Sequence, residues 1–129
     1  MHPAYLFRMS ARDMARFGVM YQQNGTWKGE RILPAEWITE STTAYSIADS
    51  ASGVAYGYVW NIFPEGSPFA GMFGYLGYFH TGIGVHVLAI IPEIDLVLVE
   101  RYDTDGDWTD PGEVGMELGM MIINARISD

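Results

Sequence analysis

The chain has 129 residues, 49% of them hydrophobic, and sets seven Lys and Arg against sixteen Asp and Glu, giving a formal charge of −9. That balance opposes docking on phosphate backbones and on anionic lipid, so neither nucleic acid nor a membrane surface is an expected partner. The hydrophobic fraction excludes a disordered chain, and the length suits one domain with its own core. No run approaches the roughly 18 to 20 apolar residues of a membrane helix. The start, MHPAYLFRMSARD, lacks a basic-then-apolar secretory design, so the chain is expected to be soluble and unexported, with its compartment left open. With no cysteine, disulfides, thiolate catalysis and Cys-based zinc sites are excluded.

In chain order, Ser10 and Asp13 make a capping-box-like start, and Met14, Phe17, Gly18 and Tyr21 follow at helical spacing. Asn24-Gly25 supplies a left-handed stop, so the pattern predicts a helix from about Ala11 to Gln23 whose stripe is core. Thr26 to Glu30 is a polar turn holding Lys28, the only lysine. Pro34 suits the first turn of a short helix to Ser41, with Trp37 and Ile38 directed inward. Thr42 to Gly53 reads as a loop.

Val54 to Phe63 is aromatic and β-branched, which predicts a strand ended by the Gly/Pro turn at Pro64 to Pro68. On a continuous strand Tyr56, Tyr58 and Trp60 share one face, either as core under a helix or as a wall toward a substrate. The runs Ile83 to Ile91 and Ile94 to Val99 flank Pro92-Glu93 and predict a β-hairpin with both faces covered. The expected architecture is α+β, an antiparallel sheet of about three strands packed with N-terminal and C-terminal helices.

The acidic loop from Asp103 to Asp110 invites a calcium reading, but an EF-hand loop needs Gly at position 6 and Glu at position 12, where Trp108 and Val114 fall. Asp110, Pro111 and Glu113 instead stand in register as helix cap, N1 and N3. A helix to about Ile127 is predicted, with Val114, Leu118, Met121, Ile122 and Ala125 facing the sheet.

Chemistry is sparse. His80 and His86, six residues apart and about 20 Å along an extended strand, have no third ligand at metal spacing, and His2 lies in the terminus. No metal or cofactor is expected: G-x-G-x-x-G and G-x-x-x-x-G-K-[ST] are absent, so nucleotide binding has no support, and no serine sits in a G-x-S-x-G elbow. What remains is His80-Thr81-Gly82, where an imidazole, a hydroxyl and a Gly at a strand entrance can bind a carboxylate or an oxyanion.

The succession MSARDMARFG, the Gly25-Thr26-Trp27 turn with RILPAEW, the aromatic GYVW stretch and then HTGIGVHVLAIIPEIDLVLVERYDTD resembles the C-terminal part of the serine β-lactamase family. That family includes class C β-lactamases, penicillin-binding DD-peptidases and related esterases. The resemblance implies that the single domain matches the last third of such an enzyme, and that His80, Thr81 and Gly82 occupy its third motif beside the active site. The implied roles are carboxylate binding and electrostatics for His80 and Thr81, and an oxyanion-hole N–H from Ile83. The nucleophile motif S-x-x-K is absent, because the residue three before Lys28 is Gly25. The Tyr/Ser-x-Asn motif is absent too, Tyr58-Val59-Trp60-Asn61 being one residue too long.

A truncated, catalytically inactive hydrolase segment is therefore expected, or alternatively a self-associating binding or structural module. By the same resemblance the Ile94 to Arg101 strand lacks a neighbour, so its edge is expected to recruit a second copy or a complementing N-terminal chain, and a small carboxylate is the expected ligand.

Overall fold

The computed structural model describes residues 9–82, 86–102 and 112–126. Its frame is a six-stranded antiparallel sheet in the order β3-β4-β5-β6-β7-β8, with helices on both faces.

Helix α1 (Ala11–Gln22) starts as its sequence dictates: Ser10 Oγ accepts from the Asp13 N–H at 3.2 Å and donates to the Asp13 carboxylate at 2.7 Å. It ends where Asn24 and Gly25 turn left-handed, at φ 52° and 84°. A two-residue ribbon follows, β1 (Thr26–Trp27) and β2 (Glu30–Arg31), closed by Lys28 and Gly29 at positive φ. Helix α2 (Ala35–Ser41) buries Ile38, but Trp37 is 42% exposed rather than inward. It lies instead against the Tyr58 ring, 5.8 Å between centroids.

The sheet has six strands rather than three, for two local reasons. First, the expected loop after Thr42 contains β3 (Ser46–Asp49), an edge strand with all four residues exposed and hence no apolar alternation to read. Second, the stretch from Val54 to Phe63 is not one strand but two, β4 (Val54–Tyr56) and β5 (Asn61–Phe63), folded back with Ala55 opposite Ile62. Gly57 makes that turn possible: a Cβ there would stand 2.5 Å from the Ser41 carbonyl oxygen. Val59, a β-branched residue at φ 61°, takes the strained position. The turn breaks the alternation, so Trp60 is buried while Tyr56 and Tyr58 are about two-fifths exposed, and the shared aromatic face does not form.

After β5, Ser67 caps a short helix for which no element was predicted, α3 (Pro68–Phe73), with Pro68 in the first turn and Gly74 at φ 74° as its stop. The last three strands are β6 (Gly77–Gly82), β7 (His86–Ile91) and β8 (Leu96–Glu100). The predicted hairpin is β7–β8, turned by a 3₁₀ segment (Pro92–Ile94) and Asp95 at φ 50°, so Ile94 belongs to the turn.

Both faces of the hairpin are covered, as its unbroken apolar runs require. On one face α1 packs over Leu88, Ile90 and Val97 to form the larger core with Met20, Tyr21, Trp60 and Tyr78. On the other, Phe63, Ala70, Ile91 and Ile123 form a second core with partly buried Phe69, Phe73 and Phe79. Helix α4 (Gly112–Asn124) reaches this face through Gly119 and Ile123, not through the predicted stripe: Leu118 and Met121 are 44% and 67% exposed. Gly115 makes part of the difference: a Cβ there would stand 2.5 Å from the Glu100 carboxylate, whereas one on Gly119 would meet only ordinary contacts. The predicted stripe is made of large apolar residues, whereas the helix approaches the sheet most closely where it has no side chain. The acidic loop 103–110 and the proposed cap at Asp110-Pro111 lie outside the described residues.

Candidate active site

The three motif residues close strand β6. Along its first half β6 is flanked on both sides, but the last β5 partner is Asn61, opposite Phe79. Beyond Phe79 only β7 remains: His80 stands opposite Leu88, Thr81 opposite Val87 and Gly82 opposite His86. His80-Thr81-Gly82 therefore sits at the end of a strand rather than at its entrance, on a stretch of open sheet edge. Such an edge presents backbone N–H and C=O groups to whatever approaches.

Strand alternation sends neighbouring side chains to opposite faces. The exposed His80 shares the α1 face with Tyr78 and meets the edge of Trp60, 6.3 Å between ring centroids and 89° between planes. Trp60 is itself held by Tyr21 at 4.9 Å and Tyr78 at 5.1 Å, so His80 stands at the rim of a packed aromatic group. Burial pushes the Tyr78 hydroxyl above its usual range, which keeps that floor uncharged. Thr81 faces the other side of the sheet. Gly82 is exposed, and among the described residues a Cβ there would meet nothing within 4 Å. Among the described residues neither packing nor a positive φ calls for a glycine at that position. Ile83, the expected oxyanion donor, lies outside the described residues.

His86 is not a strand-mate of His80. The chain reverses between them, and they stand on adjacent strands as diagonal neighbours on one face, a relationship of roughly 7–8 Å in antiparallel sheets. The 20 Å expected for an extended run does not apply. The Nδ1 of His86 accepts from the Tyr102 N–H at 3.3 Å, which ties the end of β8 to β7. Among the described residues no three His, Asp or Glu side chains gather at metal distance.

Several serines are structurally engaged. Ser10 and Ser67 cap helices, Ser41 donates to the Ile38 carbonyl, and Ser52 binds Asp49. Among the described residues no serine hydroxyl bonds to a Lys or His, the pairing that would activate it.

The family profile described as Beta-lactamase matches residues 1–100. The chain belongs to the beta-lactamase family. A comparison with curated proteins returned no match. Among solved structures, a putative 6-aminohexanoate-dimer hydrolase from Bacillus anthracis has the same fold, with a TM-score of 0.63 at 23% identity. The similarity covers 88% of this chain but 28% of that one, so this member of the beta-lactamase family spans under a third of the length of its structural relative. The relative and the beta-lactamase match agree with the mixed α+β architecture built from the sequence.

Proposed function

We propose that these 129 residues form one wall of a β-lactamase-like serine hydrolase, corresponding to its C-terminal third. In this reading His80 and Thr81 bind and polarise a substrate carboxylate, and the Ile83 N–H serves an oxyanion. The observation that carries it is the position of His80-Thr81-Gly82 on the open part of the β6 edge, with space around Gly82 for another molecule to approach the backbone. The hydrolytic step itself needs a serine and a neighbouring base, and this sequence has no S-x-x-K and no Tyr/Ser-x-Asn. These residues alone therefore bind without acylation, and the nucleophile comes from outside them.

A second reading is supported by strand β8, which among the described residues has a neighbour on one side only. Its free edge takes a further strand, from a second copy of this chain or from a complementing N-terminal chain. In the limiting form of this reading the chain is a self-associating structural module, and the motif is vestigial.

Binding without turnover separates the two. Benzylpenicillin, titrated while amide resonances are followed, should shift the Phe79 to Gly82 signals, and Thr81→Ala should abolish the shift without loss of fold. No shift at these residues in the folded protein would leave the structural module standing.

A further inference from the structure

A cavity of about 280 Å³ lies on the face of the sheet opposite His80, between β6–β8 and helices α3 and α4. Its walls are apolar, with Phe63, Phe69 and Phe79 on one side and Leu98 and Gly119 on another. Phe69 and Phe79 stack at 5.6 Å with 19° between planes. Apolar cavities of about 150 Å³ already admit benzene, so this one has room for an aromatic ring and a short chain.

Two polar side chains line it, Thr81 and Glu100. Glu100 is 9% exposed. One carboxylate oxygen accepts from the Tyr102 hydroxyl. The other lies under α4, where a Cβ on Gly115 would stand 2.5 Å away, and among the described residues it accepts no hydrogen bond. No Arg, Lys or His among the described residues lies within ion-pair distance of it. Gly115 is in the opening turns of α4, whose positive end favours a negative charge beneath it. Among the described residues no buried side-chain nitrogen or oxygen lacks a hydrogen-bond partner, so this second oxygen is open to an approaching donor rather than sealed beneath the helix.

We propose that this cavity is a binding site for a small organic cation, an arylalkyl- or alkylammonium. Its ammonium group donates to Glu100 and its hydrocarbon body lies among the phenylalanines. The aromatic walls suit such a ligand by burying its apolar part. The site is distinct from the β6 edge, and it does not depend on the reading of His80 and Gly82 given above. Thr81 is the one residue common to both.

Calorimetric titration with phenethylammonium chloride tests this, with phenethyl alcohol as the neutral counterpart of similar size. Saturable binding of one ammonium per chain is expected, weakened at least about tenfold for the alcohol and for Glu100→Gln, the loss of a charge-assisted bond. Gly119→Leu, whose Cβ would find ordinary contacts at 3.7 Å and 3.8 Å and whose remaining atoms would enter the cavity, should abolish binding while circular dichroism stays native. If Glu100→Gln does not fold, the Gly119→Leu result and the ammonium-to-alcohol ratio decide. No saturable binding, equal binding of the two compounds, or binding that survives Gly119→Leu would each overturn the proposal.

Discussion

Gly18 of α1 lies directly on Val97 of β8, so close that a Cβ on Gly18 would stand 2.6 Å from Val97 Cγ1 and 3.0 Å from Leu88 Cδ1. Through this contact the first helix seats on the last two strands, nearly eighty residues apart in the chain. A glycine inside a helix costs roughly 0.5–1 kcal/mol against alanine, a cost that the close approach of helix to sheet offsets.

Two helical glycines should therefore respond oppositely. Gly18→Val should destabilise by about 2–3 kcal/mol, the range for forcing atoms into a filled core. Gly119→Ala meets only ordinary contacts, with Leu98 at 3.7 Å and Phe73 at 3.8 Å. It should leave stability unchanged or raise it by up to about 1 kcal/mol through helix propensity. Urea denaturation of the two variants checks this; equal losses would mean that α1 does not sit on β7 and β8 as described.

Tyr58 gives a spectroscopic handle on the outer aromatic group. Its hydroxyl donates to a Glu40 carboxylate oxygen at 3.0 Å, and that bond, with a smaller effect of Tyr45, pushes its pKa up to about 12 from the ordinary 10. The folded-state value is the raised one, so the stabilising effect is complete below pH 10 and is lost as pH rises through about 12. The ultraviolet titration difference between the native chain and Tyr58→Phe should show the phenolate appearing near pH 12. In Glu40→Gln it should appear closer to pH 10. An unchanged midpoint would mean that the carboxylate is not the cause.

The β8 edge predicts association. Light scattering at tens of micromolar should report a mass above that of one chain. A clean monomer at that concentration would contradict edge pairing.

Much of this fold was legible because particular residues leave one local solution. Ser10 with Asp13, Asn24 with Gly25, and the two apolar runs around Pro92 each fixed an element near its observed ends. What could not be read depended on distant partners. The reversal at Gly57 follows from the Ser41 carbonyl beside it, and β3 is a strand only because β4 offers it an edge. The packing face of α4 was misjudged because its closest approach runs through Gly115, which carries no hydrophobic signal. For the site, the motif itself was visible in sequence. The start of β5 at Asn61, which pairs with Phe79 and leaves the β6 edge beyond it free, was not. Nor was Glu100: a lone acid closing a valine-rich strand reads as its solvated end, and only the cavity shows it buried.

The central claim is that this beta-lactamase family chain holds a substrate-binding edge without a nucleophile of its own. Intact mass after incubation with benzylpenicillin and, separately, with a fluorophosphonate ester tests it most directly. The account predicts unmodified mass with both reagents, from protein shown to be folded. A stoichiometric adduct on any serine of this chain would contradict it, and the modified residue would mark an active site that the present reading lacks.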